Sequence, residues 1–583
     1  MAGNTPNQWV ELAAGEAADA IVGAMTEGGV DHLFFTSGGE IGFYQEAIAK
    51  AQAQGRKTMR IVTVPHEHVS LNAALGFAAV SGRPAATAAH VDVGTQHYGG
   101  AIHSAWRSGL PVVITAGGPP TAYPGSMRGA RDAGHLWNQQ NFDQNGIVRE
   151  YTKWDHRLEW QDNPGLIVSR AIQVARTEPC GPVYLSFPQE VSIAPLNGTR
   201  FPSVAQLGIP LPPAPDPDAV KDLAARLIAA RNPVIVAHCS GRNPATVPAL
   251  VELAEMLGIA VVSGLHGGYL SFPRNHPLYQ REASLREADV VVVFDADVPW
   301  LPGGNNDPSG NAYIAAVSVD AIRERIPTYE FTANLRLTAD PLLTRRALSS
   351  TARTLLADAD KRRIAERSER WAQHSRATWE RIEQDALQRG KSNPIDPLWL
   401  SYQIGQMIDD NCIVFEETLG GNRLPLYLRN SRPGALFGQP GSSGGWSPGA
   451  ALGAKLAAPD RDVIAVCGDG FYMFSTPAPA LWAGLHHKAP FMVVIYQNRS
   501  YTTGTLAVLG KYPDSYAAKA NFPGGYFDPP IDFAKEAEAA GAYGENVRDP
   551  TEVGPALQRG LKEIRSGRPA VISVWLPRLA QKD

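Results

Sequence analysis

Short apolar runs that end in glycine, each followed by a helical pattern, recur along the 583 residues of this chain. Examples are DHLFFTSGG at 31–39 and DVIAVCGDG at 462–470. Buried strands that alternate with helices form parallel sheets, because the crossover helices cover both faces of the sheet. The alternation therefore predicts an α/β fold built on mainly parallel sheets.

Three regions of this kind follow one another, as expected for a chain of this length at roughly 150 residues per domain. We predict a first domain at residues 1–193, a central domain at 219–350 and a third domain at 394–583. The Pro-rich stretch at 194–218 is predicted to be an extended linker. The charged stretch at 351–393 is predicted to be a helical connector with a solvated face.

The composition argues against several classes of protein. A net charge of −4 gives no sign of a basic nucleic-acid surface. No run approaches the roughly 20 apolar residues that span a membrane, and the N-terminus does not have the pattern of a signal peptide. The four cysteines form no C-x-x-C pair, which argues against a zinc ribbon and suits a reducing compartment. We therefore expect a cytoplasmic protein without nucleic-acid or membrane partners.

The most specific motif is Gly468-Asp469-Gly470 at the end of one predicted strand, followed by Asn498 at the end of another. Open α/β sheets bind ligands at the carboxyl ends of their strands. Carboxylate and amide oxygens are ligands that suit Mg2+, which commonly completes its shell with phosphate oxygens. Glycines let a phosphate approach the backbone. A GDG turn alone is commonplace, but the pair predicts a Mg2+–diphosphate site.

A GDG turn followed at this spacing by Asn-Asn closing a strand resembles the signature of thiamine-diphosphate enzymes; here the pair is Gln497-Asn498. The resemblance covers nearly the whole chain. It implies pyrimidine-binding, middle and diphosphate-binding domains in that order, and Asp469, Asn498 and the Ser500 carbonyl as Mg2+ ligands. It also implies that the cofactor is thiamine diphosphate.

The segment VPHEHVSLNAALGFAAVSGRPA at 64–85 resembles the family motif whose Glu hydrogen-bonds the cofactor's aminopyrimidine ring, which implies that role for Glu67. A carboxyl at that ring nitrogen promotes the imino tautomer that removes the thiazolium C2 proton. The alternative is a Glu that is favoured by the dipole in the first turn of a helix. His66 and His68 flank Glu67, but a His-x-His pair on a helix does not share one face, so zinc is not expected.

The resemblance implies further cofactor contacts, and it also has departures. Contacts are expected from Thr418, Leu419, Gly420, Gly444, Trp446, Gly468, Gly470, Phe471 and Tyr501. The family has a bulky apolar residue, which props the cofactor into its bent shape, where this chain has Gly444. Trp446 is a candidate for that prop. Phe471 stands where relatives often have a small polar residue.

Within the family, the sequence resembles benzoylformate decarboxylase and the acetolactate synthases. His90, in TAAHVDVGTQ, and His276, in FPRNHPLY, match active-site histidines of the decarboxylase, which implies proton transfer. Gly39 replaces the decarboxylases' Ser or Asp and is closer to acetolactate synthases, and Glu40 beside it is a candidate pocket residue. After Asn498, the pocket candidates are Tyr501, Thr502, Leu506 and Leu509, with core packing as the alternative for both leucines.

The sequence thus predicts a thiamine-diphosphate- and Mg2+-dependent lyase or carboligase, acting by decarboxylation of a 2-oxo acid. An acetolactate-synthase-type transferase, with possible FAD, is one alternative, although FAD is not expected. A lyase for a 2-hydroxyacyl thioester or a cyclic diketone is another, and a non-enzymatic relative that keeps the fold is a third. Family sites lie between two subunits, so the resemblance implies a dimer at least, and a tetramer as the expected state.

Overall fold

The computed structural model of this protein describes residues 9–264, 268–418 and 424–578. Its first sheet has six parallel strands in the order β4–β3–β5–β6–β8–β7. The strands of this region are β1 (Trp9–Leu12), β2 (Gly15–Glu16), β3 (His32–Phe35), β4 (Arg60–Thr63), β5 (Ala85–Ala89), β6 (Val112–Gly118), β7 (Asp155–Arg157), β8 (Val183–Pro188), β9 (Pro195–Leu196) and β10 (Thr199–Pro202). The helices are α1 (Ala17–Glu27), α2 (Phe43–Ala53), α3 (Glu67–Ser81), α4 (Asp92–His97), α5 (Gly100–Ser108), α6 (His135–Asn138), α7 (Pro164–Arg176) and α8 (Gln189–Ser192).

The central strands of the first sheet are apolar throughout because helices cover both faces. Every residue of β5 and β6 is buried. The Pro-rich segment continues this region, since β9 pairs antiparallel with β2 and β10 with β1.

The second sheet has five parallel strands in the order β12–β11–β14–β15–β16. Its strands and helices are α9 (Pro217–Ala229), β11 (Pro233–Ala237), α10 (Thr246–Leu257), β12 (Ala260–Val262), β14 (Val290–Phe294), β15 (Tyr313–Ser318), β16 (Leu335–Thr338), α11 (Pro341–Leu355) and α12 (Asp358–Arg389). The charged helix α12 packs against this unit through buried side chains that include Ile364 and Trp371. In the described ranges, no helix combines the length and apolar character needed to cross a membrane.

The third sheet has seven strands in the order β13–β18–β17–β19–β20–β22–β21, all parallel except β13, a short antiparallel strand from the central region. The strands are β13 (Gly268–Tyr269), β17 (Cys412–Glu417), β18 (Leu436–Gly438), β19 (Asp462–Gly468), β20 (Met492–Gln497), β21 (Tyr543–Val547) and β22 (Ala570–Trp575). The helices are α13 (Pro397–Met407), α14 (Leu424–Tyr427), α15 (Ser447–Ala457), α16 (Asp469–Phe474), α17 (Pro477–His486), α18 (Thr502–Lys511), α19 (Tyr516–Lys519), α20 (Phe533–Ala539) and α21 (Val553–Arg565). The expected mainly parallel α/β architecture is confirmed.

Helices α3 and α15 join the first and third sheets through the same four-residue sequence, Ala-Ala-Leu-Gly, at 73–76 and 450–453. A Cβ on Gly76 would lie 1.9 Å from the Ala450 carbonyl oxygen, and a Cβ on Gly453 would lie 1.8 Å from that of Ala73. Only glycine permits backbones this close. The crossing brings the start of α3 near the loop before α15, where His68 Nε2 lies 3.2 Å from the Gly445 carbonyl oxygen.

Candidate active site

Glu67 is the first residue of α3 and lies at the carboxyl edge of the first sheet. Its side chain is 9% exposed, and its Oε2 lies 3.5 Å from His97 Nδ1. No hydrogen bond from another described side chain reaches this carboxyl, so its oxygens are available to a ligand. A carboxyl this buried fits a hydrogen bond to a heterocycle nitrogen, which is the role predicted for Glu67.

His66 and His97 lie beside Glu67 with their rings parallel and 5.7 Å apart, and potential ligand atoms of the three residues lie within 4.8 Å of one another. His68 turns away, with its Nε2 3.1 Å from Asn72 Nδ2. Sequence reasoning missed His97 because the sequence does not show that the end of α4 packs beside the start of α3. The only available signal was its position in the TAAHVDVGTQH segment that also contains His90.

His90 follows β5 directly and faces the same groove as Glu67. A Cβ added to Gly94 would lie 3.1 Å from Glu67 Oε1 and 3.3 Å from the His90 Cβ, so one methyl group would touch both residues. His90 Nδ1 lies 2.7 Å from the buried Glu40 carboxyl. The contact with Glu40 is the main reason why the pKa of His90 is raised, although burial opposes the shift. The structure therefore brings together Glu40, Glu67 and His90.

His276 lies in the central region, away from this groove's contacts. Its Nε2 is 3.2 Å from Glu255, its Nδ1 accepts a hydrogen bond from the Leu278 amide, and its ring packs edge-on against Phe272. These contacts account for its position, and a catalytic role for His276 stays a prediction.

Asp469, Asn498 and Ser500 meet at the carboxyl edge of the third sheet. They follow the neighbouring parallel strands β19 and β20, and Asp469 accepts a hydrogen bond from the Arg499 backbone amide. Asn498 Oδ1 accepts hydrogen bonds from the Ser500 amide and hydroxyl at 3.0 and 2.9 Å. Two strand ends and one tight turn thus gather three oxygen-bearing residues.

This cluster fits a hard divalent cation. Asp469 is 2% exposed, and burial raises the pKa of its carboxyl to about 6, although backbone amides favour the charged form. The nearby Arg499 guanidinium does not pair with it, because it donates to the Leu576 carbonyl and lies over the Trp575 ring. A cation at Asp469 would stabilise this buried charge, and the oxygen ligand set is the one that Mg2+ prefers.

The glycines on either side of Asp469 leave room at the strand end. A Cβ on Gly468 would meet only Phe471, at 3.8 Å, and one on Gly470 would first meet the Tyr501 ring, at 3.5 Å. Tyr501 packs edge-on against Phe527. The backbone beside the oxygen cluster is therefore open to a phosphate group, and a diphosphate site here stays a prediction.

Glu417 anchors the glycine-rich loop before α15, and sequence reasoning missed it. Its carboxylate, 1% exposed, accepts hydrogen bonds from the backbone amides of Gly445, Trp446 and Ser447 at 2.8 to 3.0 Å. Burial raises its pKa to about 7, although the three amides act in the opposite direction. Its position at the end of the strand CIVFEE was the available signal.

The neighbouring predicted contacts fall partly outside the described residues. The amide and hydroxyl of Thr418 both bond to the Glu416 carboxyl. Leu419 and Gly420 lie outside the described residues.

Aromatic rings fill the space beside Gly444, so a side chain at this position would collide with them. A Cβ there would lie 2.6 Å from Phe471 and 3.0 Å from Phe474. The Trp446 indole is buried in the core, edge-on to Phe415 at 5.2 Å. The small residue at 444 therefore makes room for the large residue at 471.

Helix α18 follows the oxygen cluster. Thr502 Oγ1 accepts a hydrogen bond from Asn498 Nδ2 at 2.9 Å. Leu506 and Leu509 are 46% and 41% exposed in the single chain, so they are not ordinary core residues. The helix presents an apolar surface next to the cluster.

A separate cavity of about 870 Å3 lies between the second and third sheets. Arg107, Arg274 and Arg281 contribute positive charge to its lining, and Glu416 and Thr418 border it. The cavity could accommodate a further ligand.

Comparisons with known proteins agree with this geometry. Residues 15–147 match the thiamine pyrophosphate enzyme N-terminal TPP-binding domain, and residues 424–574 match the C-terminal TPP-binding domain. A probable acetolactate synthase of Mycobacterium bovis is 25% identical, covering 94% of this chain and 93% of the relative. A benzoylformate decarboxylase of Pseudomonas aeruginosa is 27% identical, covering 87% and 90%. The crystal structure of a benzoylformate decarboxylase from Polynucleobacter necessarius, 19% identical, superposes with a TM-score of 0.75 over 97% of this chain and 99% of that one, which shows the shared fold.

Proposed function

This chain belongs to the thiamine pyrophosphate enzyme family, and on that premise we propose that it is a Mg2+-dependent lyase or carboligase that decarboxylates a 2-oxo acid. When bound, thiamine diphosphate supplies a nucleophilic carbon for attack on a carbonyl group and accepts the electron pair of the bond that breaks. The observation that carries the proposal is the buried Asp469 carboxyl at the strand end next to that of Asn498 and Ser500. These residues would hold the metal and, through it, the diphosphate.

The first domain supplies the acid–base groups. Glu67 would hold the pyrimidine ring through its available carboxyl and fix the tautomer on which the cofactor depends. His90, which shares a groove with Glu67, would give a proton to the reacting carbon or take one from an oxygen. Both side chains sit at the carboxyl edge of the first sheet, where Gly94 leaves space between them.

We further propose that the working enzyme is a dimer at least, with Glu67 of one chain acting on the cofactor held by Asp469 and Asn498 of another. The exposed apolar surface of α18, including Leu506 and Leu509, supports this arrangement because it lies next to the cluster. Sedimentation of the purified protein tests it, since a monomer that retains full activity contradicts it.

A second candidate function is an acetolactate-synthase-type transferase. A Cβ at Gly39 would meet nothing within 4 Å, so packing does not require glycine there. The lack of a side chain at this position leaves room for a second substrate. The cavity lined by Arg107, Arg274 and Arg281 could take a flavin nucleotide. A yellow chromophore in the purified protein, released on denaturation, favours the transferase. A lyase for a 2-hydroxyacyl thioester or a cyclic diketone is a third candidate. Turnover assays with these two classes of compound as substrates test it.

The deciding experiment measures turnover of aromatic and aliphatic 2-oxo acids with and without thiamine diphosphate and Mg2+, following both CO2 and coupled products. Cofactor-dependent CO2 with an aldehyde product supports a decarboxylase, and an acyloin product supports a carboligase. Asp469→Asn should abolish cofactor-dependent turnover. Asp514→Asn, a change of the same chemistry at an exposed position, should leave it intact.

A further inference from the structure

Glu40 is a buried carboxyl that the functions assigned above do not use. It lies in the turn after β3, its side chain is 1% exposed, and its Oε2 is 2.7 Å from His90 Nδ1. Among the described residues, His90 is its only ion-pair partner. A buried charge is costly unless it is paired, so the Glu40 carboxylate depends on a protonated His90 imidazole.

Two glycines make room for the pair. A Cβ on Gly38 would lie 2.7 Å from both the Cβ and the Nδ1 of His90, and a Cβ on Gly117 would lie 2.8 Å from the Glu40 Cβ. Gly38, His90 and Gly117 come from three neighbouring strand ends, those of β3, β5 and β6. The edge of the sheet is thus shaped so that Glu40 and His90 meet.

Among the described residues, neither Glu40 Oε2 nor His90 Nδ1 makes a hydrogen bond, so the 2.7 Å contact between them is an ion pair when the imidazole is protonated. The contact with Glu40 favours the protonated imidazole, since it raises the pKa of His90. The other charged groups facing His90 are also carboxyls, Glu67 at the start of α3 and Asp92 at the start of α4, and they too raise its pKa. The charged groups that face His90 in the described residues therefore all favour its protonated form.

Gln139 occupies the other side of the imidazole. Its Nε2 lies 2.8 Å from His90 Nε2, while its Oε1 is buried without a hydrogen bond. The two ends of an amide have nearly the same shape, and their assignment follows the hydrogen-bond network. As placed, the amide donates to neutral His90; turned over, its oxygen would accept from a protonated Nε2.

We propose that Glu40 is the positioning residue for His90: its buried carboxylate fixes the Nδ1 side of the ring and favours the protonated imidazole, and Gln139 holds Nε2 until a substrate displaces its amide. This proposal rests on the proposed function for the identity of the proton acceptor. In the transfer, the Nε2–H bond breaks and its electron pair stays on the nitrogen. The proton forms a C–H or O–H bond on the substrate, and a solvent proton restores Nε2–H.

The test is an NMR titration of the full-length protein with histidines labelled at Cε1, in which His90→Asn assigns the resonance. Wild-type His90 should titrate above the ordinary value of about 6.5. Glu40→Gln keeps the side chain's shape but removes its charge, so the pKa of His90 should fall by about one unit or more. Glu255→Gln, beside His276, is the matched control and should leave His90 unchanged.

The enzymatic arm separates positioning from a merely structural role. In Glu40→Gln, the limb of the kcat–pH profile governed by His90 should move to lower pH by the same amount as the NMR pKa, with KM unchanged. Gln139→Leu should leave the ion pair at Nδ1 intact, so the NMR pKa of His90 should fall by less than in Glu40→Gln.

An unchanged His90 pKa in folded Glu40→Gln overturns the proposal, as does a lowered pKa with an unmoved kcat–pH profile. If the wild type turns over no 2-oxo acid, the proposed function fails independently, because the NMR titration still decides whether Glu40 controls His90.

Discussion

Gly453→Ala at the crossing of α3 and α15 should destabilise the protein and disturb the first-domain site. The new Cβ would lie 1.8 Å from the Ala73 carbonyl oxygen, whereas real Cβ contacts essentially never fall below 3.0 Å. The helices would therefore have to separate by about 1 Å or more. Overpacking of this kind typically costs about 1–3 kcal/mol, and here the obstacle is backbone, which cannot rotate away.

For domains of about 150–250 residues this cost corresponds to a fall in Tm of roughly 2–12 °C. The assay is calorimetric unfolding, with urea denaturation as a second measure. Gly504→Ala is the matched control: Gly504 lies in α18, and its added Cβ meets nothing within 4 Å, so alanine should be neutral or stabilise by up to about 1 kcal/mol. A Gly453→Ala protein as stable as Gly504→Ala would refute the reasoning about the helix crossing.

Four further predictions concern the site. Gly444→Leu should weaken thiamine diphosphate binding because Phe471 fills the space, and Phe471→Ala in the same chain should restore binding. Calorimetric titration should give a coupling free energy of about 0.5–3 kcal/mol between the two substitutions. Equal losses of affinity with and without Phe471→Ala would contradict this packing. The affinity for Mn2+, measured by electron paramagnetic resonance, should fall up to tenfold per pH unit below about pH 6, because only ionised Asp469 binds the metal. An affinity that does not depend on pH would contradict this role of Asp469. Because the pKa of Asp469 is raised from about 3.8 to about 6, the free energy of unfolding of the metal-free protein should fall as the pH rises through this range. Asp469→Asn should remove this pH dependence. Glu67→Gln should retain cofactor binding but lose turnover, so retention of turnover would remove Glu67 from the chemistry.

Much of the fold could be predicted because the signals are local. The buried runs of β6 and β19 end in glycine, so strand, turn and helix follow from a few neighbouring positions. Asp469 and Asn498 could be placed together because adjacent parallel strands end at one edge, which requires no knowledge of distant contacts.

The remaining features depend on which strands and helices become neighbours. Glu40 and His90 meet only because β3 lies beside β5 in the sheet, and Gln139 reaches His90 from a loop with no periodic pattern. The glycine at 444 could be recognised as a departure from the family, but its cause, the Phe471 ring, became visible only in three dimensions.

The helix crossing is a different case, because its signal was present in the sequence. The repeated Ala-Ala-Leu-Gly at 73–76 and 450–453 marks two close-packing faces. Small residues at matching positions do not by themselves identify their partner, so the contact could not be assigned without the structure.

The central claim is that this chain holds thiamine diphosphate through Mg2+ at Asp469 and Asn498. Calorimetric titration of the cofactor into the purified protein, with Mg2+ and then with excess chelator, tests it most directly. The account predicts saturable binding that requires the metal and is lost in Asp469→Asn but kept in Asp514→Asn. Absence of binding in the presence of Mg2+, or binding that Asp469→Asn leaves unchanged, would contradict it.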